Sequence, residues 1–221
     1  MFAQRLPRAV LWDLDGTLVD SEHYWMNSER QLAAQHDFAW SKADGESLVG
    51  MSLYDSTKIM KEKFGSSLEP TEIIDLLTDS VTAQLRNEIP WRPGAQELLR
   101  KLREKGIKTA LVTMSMRRMA EEVAKAIPFD AFDVIVAGDD VEHGKPHPEP
   151  YLLAAALLGE SPSDCIAFED SLTGLRSAEA AGTRAIAIPN IQHIPSQPGR
   201  IIWETLDGVS IRKLRRAFKT K

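Results

Sequence analysis

The stretch AVLWDLDGTLVDS, residues 9–21, runs four apolar residues straight into Asp13, Leu14, Asp15 and Gly16. A short apolar run ended by polar residues and a glycine reads as a buried strand closing in a tight turn. Residues i and i+2 of an extended strand share a face, so Asp13 and Asp15 are aimed at one place. Two carboxylates that close repel each other and lose hydration on burial. A cation, a proton or both must compensate them.

Outward from this strand, the pattern to about residue 90 is helical. Residues 22–36 carry a weak apolar stripe and Leu53–Phe64 reads as a shorter helix. Ile73, Ile74, Leu77, Val81, Leu85 and Ile89 recur at helical spacing behind Pro70, a first-turn residue. From PWRPG (90–94) the texture alternates. A helix over 95–105 stops at Gly106, and a strand follows at 107–113. The next helix puts Met116, Met119, Ala120, Val123 and Ile127 on one face. Then come a strand at 132–138, a helix at 150–158, a strand at 164–170, a helix at 171–181 closed by Gly182, and a strand at 183–189. Strands apolar on both faces, alternating with helices, predict a parallel sheet covered by helices. The expected fold is α/β, a doubly wound parallel sheet made by residues 1–19 and 91–221, with a helical insertion at 20–90. Residues 189–200 read as a loop. The basic tail reads as a terminal helix with Ile211, Leu214, Ala217 and Phe218 on its buried face.

The bulk composition narrows the class. The 221 residues carry a formal net charge of −5 and are 43% apolar. This mild acidity gives no reason to expect a nucleic-acid or anionic-membrane partner. Cys165 stands alone, so no intrachain disulfide forms, which suits a reducing compartment. No apolar leader precedes the first charges, and no run approaches the roughly 20 apolar residues of a membrane span. The expected setting is cytoplasmic.

In an open parallel sheet, ligands bind beyond the C-terminal strand ends. There the sequence delivers Asp13 and Asp15, then Thr113 and Ser115, then Glu169 and Asp170, with Lys145 on a loop after the third strand. Carboxylates with a hydroxyl and an ammonium suit a hard cation with oxygen ligands such as Mg²⁺, and the handling of phosphate. Zinc is not expected. His143 and His147 are four apart, but Gly144, Pro146 and Pro148 break any helix between them. No Gly-x-x-x-x-Gly-Lys loop is present. One aspartate of the i, i+2 pair can attack phosphorus while the other protonates the leaving alkoxide and later takes a proton from water.

DLDGTLVDS, LVTMS, GKPHPEP and FEDSLTG, in this order, resemble the four motifs of the haloacid dehalogenase superfamily. The helical insertion after the first motif is similar to that of its phosphatases related to β-phosphoglucomutase. The resemblance implies a Rossmann-like core with an α-helical cap. It also implies hydrolysis of a small phosphorylated metabolite, a sugar or polyol phosphate, through an aspartyl phosphate. By the same resemblance Asp13 is the nucleophile and a metal ligand. Asp15 is the general acid/base and a ligand through its carbonyl, Asp170 is the third protein ligand, and Glu169 ligates directly or through water. Lys145 bridges nucleophile and phosphate, Thr113 holds a phosphoryl oxygen, Gly16 permits the turn and Thr17 buttresses it. Gly50, Met51, Met114 and Ser115 join Thr17 on the substrate side.

Asp15 favours phosphate esters over carbon–halogen or phosphonate substrates, which have no alkoxide to protonate. The alternative reading is a phosphomutase of the β-phosphoglucomutase type. Against it, Leu53 stands where that mutase has an arginine for a second phosphate, and Trp25 where it has a histidine.

Overall fold

The computed structural model describes residues 6–49 and 51–219. Its sheet holds β1 (Ala9–Trp12), β2 (Lys108–Val112), β3 (Val134–Val136), β4 (Cys165–Glu169), β5 (Arg184–Ala187) and β6 (Ile201–Ile202). All pairings are parallel, in the order β3-β2-β1-β4-β5-β6. The chain therefore builds outward from β1 in one direction, returns, and builds outward in the other. β1 lies at the switch, with Trp12 opposite Leu111 on one side and Phe168 on the other.

Side-chain size alternates along the strands and separates the two faces. Val10, Trp12, Leu111, Ile166, Phe168 and Ile186 form the bulky face. It is covered by α5 (Ala95–Glu104), α6 (Arg117–Lys125) and α9 (Ile211–Lys219) through residues such as Leu99, Met119 and Leu214. The other face holds Leu11, Val112 and Val136 but is otherwise small, with Ala9, Ala110, Cys165, Ala167, Ala185 and Ala187. Those small side chains let α7 (Glu149–Leu157) and α8 (Leu172–Ala180) pack close through Tyr151, Ala154 and Ala178.

Between β1 and α5 stand four helices, α1 (Glu22–Gln35), α2 (Lys42–Leu48), α3 (Leu53–Phe64) and α4 (Pro70–Asn87). Pro70 opens α4, a Glu69–Glu72 capping box closes its first turn, and Ile73, Leu77, Val81 and Leu85 form its buried stripe. The stripe stops before Ile89 because Glu88 is already extended. Ser52 caps α3, and Gly65 ends it in the left-handed region. Where the chain leaves and re-enters the sheet layer its two stretches pair. Asp20 N–H donates to Pro90 at 2.7 Å, Arg92 N–H donates to Leu18 at 3.0 Å, and Val19 bridges Trp91.

Two elements go beyond what the sequence pattern predicts. α2 is a short polar helix with only Gly45 and Leu48 buried, and β6 has two residues. β2 to β5 are shorter than the expected strands by two to four residues, whereas β1 keeps its bounds. Among the described residues no helix is long and apolar enough to cross a membrane.

Candidate active site

The turn after β1 forms first. Gly16 sits at φ +81°, and its N–H donates to Val19 at 2.7 Å, reversing the chain within four residues. A Cβ at Gly16 would lie 2.1 Å from Asp170 Oδ2, so only glycine lets the β1 turn meet the end of β4. Asp13 is fixed by its N–H to Phe168 O at 3.1 Å and is 6% exposed.

Around Asp13 lie Lys145, Glu169 and Asp170. Lys145 Nζ stands 2.7 Å from both Asp13 Oδ1 and Glu169 Oε1, and donates to Val112 O at 2.9 Å. Burial alone would lower the Lys145 pKa, but Asp13 and Glu169 outweigh it and raise it. Burial pushes the Asp13 carboxyl up to about 8, with the charge of Glu169 adding to this and Lys145 opposing it. Burial likewise lifts Asp170, with the charges of Asp13 and Glu169 behind it.

Asp13, Glu169 and Asp170 each bring a carboxylate oxygen within 4.8 Å of the others. Asp13 Oδ2, Glu169 Oε2 and Asp170 Oδ2 are all buried without a hydrogen-bond partner. Three converging orphan oxygens fit a divalent cation, because buried acceptors left unpaired are costly.

Asp15 faces another way. Ser21 Oγ (2.5 Å) and Trp25 Nε1 (2.8 Å) donate to its Oδ1, and Ser115 Oγ (2.6 Å) and Thr113 Oγ1 (3.2 Å) to its Oδ2. Trp25 thus supplies a donor to the acid from the cap side, and an indole N–H can only donate. Ser115 and Thr113 serve Asp15 from the end of β2.

The sequence-selected residues divide as follows. Asp13, Asp15, Met51, Thr113, Met114, Ser115, Lys145 and Asp170 line one cavity, together with Leu53. Glu169 lies just behind it. Thr17 is buried away from the cavity lining, and its hydroxyl has no partner. Gly50 lies outside the described residues. Met114 Sδ accepts from Lys145 N–H at 3.2 Å and so helps set the lysine loop.

Several residues carry no signal in the sequence pattern. Tyr151 OH donates to Glu169 Oε1 at 2.5 Å, and Gly174 leaves room for that carboxyl, since a Cβ there would sit 2.0 Å from it. Gly174 is visible in FEDSLTG, but its place inside a helix hides its purpose. His143 and His147 do come together with Glu149. The Glu149 carboxylate is already taken by the N–H groups of Glu142 and His143. Glu22 and Glu29 of α1 also line the cavity, each 7% exposed.

The model of the haloacid dehalogenase-like hydrolases matches residues 7–182. The chain belongs to that family. Among the relatives of this haloacid dehalogenase-like hydrolase is the protein CbbY of Rhodobacter capsulatus, 33% identical over 195 residues that span 83% of this chain and 86% of the relative. Another is the phosphorylated carbohydrates phosphatase of Thermotoga maritima, 31% identical over 183 residues, 80% of this chain and 83% of the relative. The solved structure of a CbbY variant from Rhodobacter sphaeroides in complex with xylulose-1,5-bisphosphate superposes with a TM-score of 0.84 at 27% identity. That match covers 92% of this chain and 96% of that one. This haloacid dehalogenase-like hydrolase is a phosphoric monoester hydrolase.

Burial, followed by the charges of Asp15, Asp13, Glu29 and Asp20, pushes the Glu22 carboxyl from 4.5 up to about 8. Between those values the folded chain keeps a proton that the unfolded chain has released, so this group makes stability fall as pH rises. Glu22→Gln is therefore expected to raise Tm over the parent at pH 8 and to leave it little changed at pH 5. Thermal melts in a chelator check this, and the same shift at both pH values would contradict it.

Proposed function

We propose that the chain is a Mg²⁺-dependent phosphomonoesterase working through an aspartyl phosphate on Asp13. The observation that carries this is the set of three orphan oxygens of Asp13, Glu169 and Asp170, gathered beside one committed lysine. These three side chains, with the Asp15 carbonyl, would hold Mg²⁺, which supplies positive charge to the phosphoryl oxygens.

The chain's own groups divide the rest. A carboxylate oxygen of Asp13 bonds to phosphorus while the bond from phosphorus to the ester oxygen breaks, its electron pair leaving with that oxygen. Lys145 neutralises Asp13 and can reach a phosphoryl oxygen. Asp15, steadied by Ser21, Trp25, Thr113 and Ser115, gives its proton to the leaving oxygen. It then takes one from the water that hydrolyses the aspartyl phosphate, which restores both acids.

The reading extends to a monophosphate of a small sugar or polyol. A relative named for phosphorylated carbohydrates supports the sugar class, and the restriction to one phosphate rests on this chain's own cavity. Among the described residues lining the cavity, Lys145 is the one cation, and it is shared between Asp13 and Glu169. Leu53 and Met51 form wall beside it, so a second phosphate finds no fork of donors. The same wall disfavours a bisphosphate mutase. The division into a core of 1–19 and 91–221 and a cap of 20–90 is part of this proposal, with the cap closing the site over the ester.

Asp13→Asn is expected to cut turnover of an aryl phosphate by about a thousandfold or more. In the parent, a chelator should silence turnover and added Mg²⁺ restore it. Activity within a few-fold of the parent in the variant, or chelator-insensitive turnover, would contradict the mechanism. Asp15→Asn is expected to cost about 10²–10⁴-fold on an alkyl phosphate and less on a nitrophenyl phosphate, whose leaving group needs little protonation. Equal losses in steady-state rates would remove Asp15 as the acid.

A further inference from the structure

The face that α1 turns to the cavity is Glu22, Trp25, Met26 and Glu29, residues i, i+3, i+4 and i+7. This is the stripe a helix keeps for apolar residues, and Trp25 and Met26 obey the rule. Glu22 and Glu29 break it. Neither touches the reacting groups by a hydrogen bond, and both are more than nine-tenths buried.

The Glu22 carboxylate has no hydrogen-bond or ion-pair partner among the described residues, although it borders the cavity. Glu29 Oε2 accepts from Trp40 Nε1 at 3.0 Å, and its other oxygen accepts from none of the described residues. α2 crosses here through Gly45. A Cβ at that position would sit 3.0 Å from Glu29 Oε2 and 3.3 Å from Met26 Cγ, so the glycine lets α2 lie directly against the acid at the cavity wall. A glycine inside a helix is less favourable than alanine. The chain thus carries unfavourable choices on facing elements, buried acids on α1 and a glycine on α2, and both line the same pocket wall.

We propose, resting on the phosphomonoesterase reading, that Glu22 and Glu29 form the leaving-group subsite. In this subsite they accept hydrogen bonds from the hydroxyls of an uncharged polyol chain long enough to meet both. Seven residues along a helix separate them by about 10 Å. Ser21 and Trp25, on either side of Glu22 in the chain, donate to Asp15, so Glu22 is the inner contact and Glu29, one turn beyond Trp25, the outer one. Met26 between them meets the carbon backbone. In either protonation state a carboxyl group accepts from a hydroxyl, and neither form offers the positive charge that a second phosphate needs. Burial holds both acids high, Glu22 at about 8 and Glu29 at about 7, the mark of groups kept at a cost to the fold.

The test is kcat/KM of the Mg²⁺-loaded full chain on glycerol 3-phosphate, glucitol 6-phosphate, glucosamine 6-phosphate, fructose 1,6-bisphosphate and nitrophenyl phosphate. The parent should prefer glucitol 6-phosphate to glycerol 3-phosphate and to the bisphosphate. Glu29→Gln, which keeps an acceptor for Trp40, should lower the glucitol-to-glycerol ratio by about tenfold. Glu22→Gln should lower both esters against the nitrophenyl phosphate. A folding defect would lower all substrates together and leave the ratios fixed, so unchanged ratios in both variants overturn the subsite. Preference for the bisphosphate overturns it too, and preference for the amino ester overturns the uncharged chain. Turnover of nitrophenyl phosphate with none of the polyol esters overturns the subsite while the phosphomonoesterase reading stands. No turnover of any ester overturns that reading itself.

Discussion

A single ammonium, Lys145 Nζ, stands 2.7 Å from Asp13 and 2.7 Å from Glu169, and the C-terminal edge of the sheet is arranged around it. Three buried acids meet one buried base there, and the charge does not balance. Breaking such a cluster leaves a carboxylate uncompensated in low dielectric, which costs far more than a surface pair returns. The surrounding chain is shaped to hold the cluster. Gly16 and Gly174 give room to Asp170 and Glu169, Tyr151 ties down Glu169, and Val112 O receives the third contact of the lysine.

That arrangement depends on topology. β1 lies between β2 and β4, so the residues following three strands emerge side by side at the switch of the sheet. The Asp13 and Asp15 side chains then serve two separate networks, one anionic and one made of neutral donors. The alternation of large and small side chains across the sheet positions the strands. The small face in turn admits α7 closely enough for Tyr151 to reach Glu169. Packing and chemistry are thus joined through one phenol.

Much of this is legible in the chain. The run from Ala9 into Asp13 and Asp15 marks the central strand. The polar residues at each later strand end mark the site, because acids carried inward by an apolar strand are costly to bury unless they converge on a cation. α2 is not legible, since its polar sequence has no stripe, although Ser41 and Asp44 form a capping box that announces its start. β6 is too short for any periodicity. Tyr151 and Gly174 act through contacts between distant elements, and spacing within one helix does not reveal such partners. Glu22 and Glu29 lie in a helix whose apolar stripe is weak, so the pattern does not show that the tertiary fold turns both acids inward. Trp25 departs from the family pattern, yet it donates to Asp15 all the same.

The proposed cation site of Asp13, Glu169 and Asp170 takes up its ion in exchange for a proton. Isothermal titration of Mg²⁺ into the metal-free chain at pH 7, in two buffers of different ionisation enthalpy, tests this directly. Because Asp13 is held up to about 8 by burial and its neighbours, cation binding should expel a proton, and the measured enthalpy should differ between the buffers. The heat should vanish in Asp170→Ala. Binding with the same enthalpy in both buffers, or binding that survives loss of Asp170, would contradict it.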